Sequence, residues 1–315
     1  MLHLLHKGAA EPVAVQNCQG LVLSPDVVWI DFLNPTLDEE HAVEQALGIQ
    51  LPTREEMAEI ETSSRLYREG KSLFMTAQIL VGSQGEAPQV GPCTFVLSGG
   101  RLITIRYLKP MAFKVVYEQI EKTPEEYRDS HAIFVALIDQ IVDRLADVVE
   151  RAQSGAEELS ERIFLQQVRT DYRAILRRLG RIQRLNGKVR ESAASLTRLL
   201  IFCEAMRALR PDDDIDSLQR DIASIVDYSG SLTSTIVFLL DAALGMINIE
   251  QNGIIKIFSI GAVIFLPPTL IASYFGMNFK HMPIFDWPFG EVAALAGMVL
   301  SIVVALLLFR RKGWF

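Results

Sequence analysis

Two stretches free of charged residues lie late in the chain: residues 257–278, 22 positions long, and residues 292–309, 18 positions long. A helix of about 20 apolar residues crosses a bilayer, so both runs are expected to span one, the second at the short end. Buried core helices are the competing reading, and the pairing of two such runs weighs against it. Arg310, Arg311 and Lys312 follow the second run, and Trp314 and Phe315 come last. Positive charge beside a span marks the cytoplasmic side, and terminal aromatics suit the interface. Two spans return the chain to the side it left. The roughly 250 residues before them are therefore expected in the cytoplasm, with only a short loop outside.

The earlier pattern is mixed. Residues 27–32 (VVWIDF) read as a buried strand. Thr36 with Glu39 has the spacing of a capping box, and Gly48 fits the end of that helix. Thr53 with Glu56 repeats the signal. Residues 72–81 and 93–97 are strand-like, and Gly99-Gly100 predicts a hairpin turn into 101–107. From about residue 123 the strand signals stop. Residues 130–164 and 166–209 read as two long amphipathic helices. Pro211 with Asp212, Asp213 and Asp214 marks a break and a new helix start, since acids favour a helix N-terminus. No proline follows until Pro267. A helix over 215–275 would be ~90 Å long at 1.5 Å per residue, a stalk that becomes the first span.

The expected class is an α+β membrane protein. Its parts are an α/β domain (1–122), a long-helix region (123–211), a stalk helix (212–253), a first span (254–279), a loop (280–290), a second span (291–309) and a basic tail (310–315). Residues 1–12 hold no long apolar run and resemble no signal peptide, so His3 and His6 are expected at a frayed, chemically incidental end.

Heptad marking of the stalk and first span picks out a stripe. One row is Ser231, Phe238, Gly245, Asn252, Ser259, Leu266 and Ser273; the other is Asp227, Ser234, Asp241, Asn248, Ile255, Ala262, Thr269 and Gly276. Most are small or polar on an otherwise apolar helix, and unpaired polar groups are costly in lipid. Close helix packing through small residues is one reading. A water-filled path is the other, and Asp241, Asn248 and Asn252 favour it. A single such helix cannot enclose a channel, so that path requires several copies. At its outer end stand Gly276, Met277 and Asn278. These residues suit an ordinary helix C-terminus. They also suit a ring of amides that hydrogen-bonds the water shell of a cation such as Mg²⁺, which gives up its waters reluctantly.

Charge and cysteine content narrow the function classes. The formal net charge is −7, which argues against nucleic acid as a partner. Cys18, Cys93 and Cys203 form no C-x-x-C pattern and read as free thiols. The segment 162–190 carries nine basic residues against Glu161 and Asp171. It reads as a solvated basic face, or as a collar near the membrane or the acidic stretch 212–227. No Walker phosphate loop, H-E-x-x-H or Ser/His/Asp arrangement is present, so no enzyme is expected.

Residues 247–283 read INIEQNGIIKIFSIGAVIFLPPTLIASYFGMNFKHMP. This run resembles the CorA magnesium channels, whose signature is Y-G-M-N followed shortly by M-P. WIDFLNP at 29–35, GGRLITIR at 99–106 and FRRKGWF at 309–315 extend the likeness over essentially the whole chain. The resemblance implies a homopentamer in the bacterial inner membrane, with both termini cytoplasmic. It implies that Gly276, Met277 and Asn278 bind hydrated Mg²⁺ at the mouth. Asn252, Phe258, Leu266, Thr269 and Ser273 would face the pore, with Asp241 further down and Phe258 as an apolar gate. Mg²⁺ would be both cargo and regulator, bound between cytoplasmic domains to hold the pore shut. Asp216, Asp221 and Asp227 are candidates for that regulatory site. A sister branch handles zinc, so Zn²⁺, Co²⁺ or Ni²⁺ transport is the alternative, and a membrane-tethered sensor or scaffold without transport is another. One departure is plain: Ile284 follows Pro283 where the family often has an acid, leaving Asp286 and Glu291 beside Lys280 and His281 in the loop.

Overall fold

The computed structural model describes residues 1–59, 61–82, 88–165, 171–208, 215–277 and 289–311. The chain divides into two units, Met1–Leu240 and Asp241–Phe315.

The first unit is built on seven strands: β1 (Leu2–His6), β2 (Val13–Val15), β3 (Val27–Leu33), β4 (Leu66–Glu69), β5 (Ser72–Val81), β6 (Gln89–Ser98) and β7 (Arg101–Arg106). Their order in the sheet is β2-β1-β3-β7-β6-β5-β4, and β3 with β7 is the parallel pair. Three short helices, α1 (Leu37–Leu47), α2 (Arg54–Ala58) and α3 (Thr62–Arg65), lie between β3 and β4. Helix α4 (Met111–Lys122) follows β7, and the long helices α5 (Ser130–Phe164) and α6 (Tyr172–Ala205) come next.

Both capping boxes form. Thr36 and Glu39 close the start of α1 reciprocally, and Thr53 and Glu56 do the same for α2. Gly48 ends α1 at φ 66°, a left-handed position that costs glycine nothing. Gly99 and Gly100 turn β6 into β7 with φ of 58° and 78°, as a two-residue hairpin demands. The central strands are buried on both faces. Ile30, Phe32, Phe74 and Ile103 pack with Val43 and Met57 from α1 and α2. Trp29, Phe95 and Leu102 pack with residues of α4, α5 and α6 on the other side. Within that core Asp31 and Arg106 form a buried ion pair at 2.7 Å. Thr104 and Tyr117 also donate to Asp31, at 2.7 and 2.8 Å, so each carboxylate oxygen is satisfied.

The N-terminal residues are not frayed. Leu2–His6 pairs antiparallel with β3, and Leu2 and Leu5 are buried. A five-residue strand with no turn residues before it gives little local signal, and its partner is what makes it a strand. Helix α6 starts at Tyr172, where Asp171 accepts from the Ala174 amide, later than the expected 166. Residues 166–170 and the break at Pro211 to Asp214 lie outside the described residues.

Pro92 sits in β6 opposite Gln78 of β5. Proline is tolerated there because its missing N–H faces away from that partner. Gln78 turns its own amide the other way, past the end of β4. There α6 replaces a strand: Ser195 Oγ accepts from the Gln78 N–H at 3.0 Å, and Ser192 Oγ donates to its carbonyl at 2.7 Å.

Helix α7 runs unbroken over Ile215–Phe275, 61 residues. Within the first unit its buried positions are Leu218, Ile222, Ile225, Ser229, Leu232, Ile236 and Leu239, spaced alternately by four and three. Helix α6 buries Ile175, Leu179, Ile182, Asn186, Val189, Ala193 and Leu196 with the same spacing. Such heptad rows are the seams of coiled-coil packing. Each fully buried aliphatic side chain contributes about 1.5–3 kcal/mol.

The second unit holds the remainder of α7 and helix α8 (Gly290–Arg311). Both helices are long and apolar enough to cross a membrane. Arg310 and Arg311, expected in a tail, form the last turn of α8, where positive charge complements the helix dipole.

Candidate functional site

Phe258, Ala262, Leu266, Thr269 and Ser273 follow one another at spacings of four and three, so they share one face of α7. Every one of them is exposed in the single chain, Phe258 at 75% and Leu266 at 65%. Lys256, Ile260, Ile264, Pro267, Ile271 and Phe275 share another face, and these are half-buried. Gly297 of α8 lies by Ile271: a Cβ there would come within 3.9 Å of Ile271 Cδ1. The candidate path lies among the positions that the chain itself leaves uncovered, beside Ile257, Phe265 and Leu270, which are exposed as well. Asp241 and Asn252 are exposed as well.

Pro267 and Pro268 sit inside this stretch. Neither has an N–H, so the carbonyls of Val263 and Ile264 lose their usual donors. The Thr269 hydroxyl donates to the Phe265 carbonyl at 2.6 Å, which turns the hydroxyl back onto its own helix. At the end of α7, Gly276 N–H donates to Ala272 O at 3.0 Å and Met277 N–H to Tyr274 O at 3.3 Å. Both residues are exposed. Asn278 lies outside the described residues, as do Lys280, His281, Pro283 and Asp286. Glu291 is an exposed first-turn residue of α8.

The three regulatory candidates do not converge within one chain. At 100° per residue Asp216 and Asp227 share a face of α7, but three turns (~16 Å) apart, and Asp221 points about 140° away from Asp216. Among the described residues no group of three or more His, Cys, Asp or Glu is placed to hold a metal ion. Asp221 instead faces Asp143 of α5 across a groove of about 430 Å³, floored by Val142, Ala146, Val149 and Ile225. Burial first, then Asp139, Asp147 and Asp221, push the Asp143 carboxyl above its ordinary range, against a hydrogen bond from Gln140. The three α5 acids recur every fourth residue in DQIVDRLAD, an i, i+4, i+8 row that sequence reasoning could have marked and did not.

The basic segment of α6 is largely a solvated face. Arg173, Arg177, Arg181, Arg184 and Arg190 are exposed. Arg178 and Arg162 converge on Glu158, with Arg162 at 2.7 Å and Arg178 at 2.5 Å. Of the cysteines, Cys93 and Cys203 are buried and Cys18 is half-buried, all three as free thiols.

Comparison with known proteins bears on this geometry. The family model described as CorA-like Mg2+ transporter protein matches residues 24–311. The magnesium transport protein CorA of Salmonella typhimurium is 33% identical over 313 residues, covering 98% of each chain. That of Escherichia coli K12 is 33% identical over 303 residues, covering 95% of each. Among solved structures, the complete CorA magnesium transporter from Methanocaldococcus jannaschii superposes with a TM-score of 0.76 at 17% identity. It covers 100% of this chain and 99% of its own. The cytoplasmic domain of ZntB from Vibrio parahaemolyticus superposes with a TM-score of 0.54 at 11% identity, over 79% of this chain and 98% of its own. These two likenesses speak for the fold.

Proposed function

The chain belongs to the CorA-like Mg2+ transporter family, and from that premise we propose that it is a Mg²⁺ channel of the bacterial inner membrane, closed by Mg²⁺ on the cytoplasmic side. The observation that carries the reading is the uncovered face of α7. Phe258, Leu266, Thr269 and Ser273 are exposed along a helix otherwise fit for lipid, and other copies of the chain would enclose them. Five copies, as the resemblance implies, place five α7 helices around one axis, with Gly276, Met277 and Asn278 at the outer mouth. Asn252 and Asp241 continue the polar line inward.

Mg²⁺ keeps most of its waters, so a ring of side-chain amides selects it by holding that shell. Phe258 supplies an apolar constriction that closes by excluding water. For regulation, the crowded Asp143 and Asp221 supply too few ligands in one chain. Waters, and acids of a second copy such as Asp216 or Asp227, complete the set. Bound Mg²⁺ relieves the repulsion between acids, and its departure restores it.

The test is Mg²⁺ entry into liposomes holding the purified protein and a Mg²⁺-sensitive dye. Wild type should admit Mg²⁺, millimolar internal Mg²⁺ should suppress entry, and Asn278→Ala should abolish it. Zn²⁺, Co²⁺ or Ni²⁺ flux without Mg²⁺ flux would transfer the protein to the zinc-type reading. No divalent flux from folded oligomers would leave a tethered sensor or scaffold.

A further inference from the structure

The seam between α6 and α7 contains one polar layer. Asn186 is 1% exposed and Ser229 is fully buried. The Asn186 amide donates to Ser229 O at 2.8 Å and to Thr233 Oγ1 at 2.9 Å. Its carbonyl accepts from Ser229 Oγ at 2.5 Å. Above and below lie Ile182 and Val189 on α6 and Ile225 and Leu232 on α7, all buried. The helices run antiparallel here, since Gln219 near the start of α7 reaches Glu204 near the end of α6.

Apolar layers of similar size are interchangeable, so a seam made only of them can slide by a turn with little loss. A buried amide is not interchangeable. Displaced by a turn, Asn186 would meet Ile225 or Ile236 in place of one partner and keep at most the other, so the three bonds it now makes are not remade. A single buried Asn in a heptad seam is a well-attested way of fixing register. Here the helix whose register is fixed is also the helix that carries the candidate ion path.

We propose that Asn186 is a positioning residue: through Ser229 and Thr233 it sets the one register in which α6 holds α7, and thereby the closed setting of the path. The proposal rests on the channel reading for its consequence, but the register itself can be measured apart from transport. The alignment spans only three side chains, so the rest of the seam can tolerate the other setting once the layer is removed.

The experiment compares wild type with two variants of the full chain. Asn186→Leu with Ser229→Ala replaces the layer by apolar groups. Asn186→Ser with Ser229→Asn exchanges its members and rebuilds it. Spin labels at exposed Arg184 and Tyr228, in a Cys18→Ser background and diluted with unlabelled chains, report the register. Wild type and the exchanged variant should show one narrow distance. The apolar variant should stay folded and show a broadened distance, or one displaced by about 5 Å, a turn of helix. In liposomes its half-inhibiting internal Mg²⁺ concentration should rise at least tenfold, and the exchanged variant should return it to within about threefold. A narrow, unmoved distance in the folded apolar variant would overturn the proposal. So would an unfolded apolar variant, since the layer would then hold the fold itself. If wild type carries no Mg²⁺, the channel reading fails, while the label distances still decide the register.

Discussion

Asp143 sits where two long helices bring four carboxylates within range of one another. Its carboxyl is raised in the folded state, so the folded protein disfavours the ionised form. That penalty is absent below the ordinary aspartate value of about 3.9 and complete once pH exceeds the raised value. Asp143→Asn should therefore raise the melting temperature at neutral pH and flatten its rise on acidification. It should also shrink the stabilisation that added Mg²⁺ gives the wild type, because a ligand of the folded state stabilises in proportion to its binding. Thermal melts at several pH values, with and without Mg²⁺, check both. At the proposed mouth, a Cβ on Gly276 would meet the Ala272 and Ser273 carbonyl oxygens no closer than 3.4 Å, an ordinary contact. Nothing among the described residues forbids alanine there. Gly276→Ala should fold and melt within about 0.5 kcal/mol of wild type, yet lose Mg²⁺ entry, because on the channel reading the space it fills belongs to neighbouring copies. A melt unchanged with flux also unchanged would remove Gly276 from the mouth. The expectation for Gly276, Met277 and Asn278 rests on resemblance alone; the row of Asp139, Asp143 and Asp147 was open to reading from its spacing, whereas the approach of Asp221 from 78 positions away leaves no local pattern.

At the scale of elements, α7 is one helix with two kinds of face. Leu232 is 3% exposed in the seam, whereas Ser234 two residues on is exposed. Leu232→Ala should cost about 2–5 kcal/mol, the range for emptying a buried leucine site. Ser234→Ala should stay within about 0.5 kcal/mol. Denaturant melts separate the two; equal effects would mean that the exposed row is packed. Here the sequence was informative, because a period of three and four over many turns leaves a strong trace. The ends of α5 and α7 and the hairpin at Gly99-Gly100 were readable from caps, breaks and turn residues. β1 was not, since five residues in a strand depend on pairing with β3 for their identity. The marked polar rows passed over the buried row of the first unit, where Ser229 interrupts the apolar series.

For the whole molecule, the channel reading makes the membrane potential the driving force for inward flux. Moving two charges through 100 mV is worth roughly 4.6 kcal/mol, at about 2.3 per charge. Clamping the liposome potential at zero should cut initial Mg²⁺ entry steeply at equal concentration gradients, and a negative interior should restore it. Flux indifferent to potential would mean that charge-balancing ions move with Mg²⁺ in the same step. The two helices long and apolar enough to cross a membrane were legible from hydropathy, and the α/β part from strand patterns, caps and turn residues; a number of copies was not, since the channel reading of the stripe asks for neighbours without counting them.

The bond between Gln78 and Ser195 joins positions 117 apart in the chain. A ribosome adds about 5–20 residues per second, so the second partner follows the first by roughly 6–23 s. Through that interval β5 has been made while the serines that seal its margin have not. An open strand margin is a template for pairing with the wrong chain. The nascent protein is thus most exposed to aggregation before residue 195 has emerged, and the sheet can close before the first apolar run, some sixty residues later, calls for delivery to a bilayer.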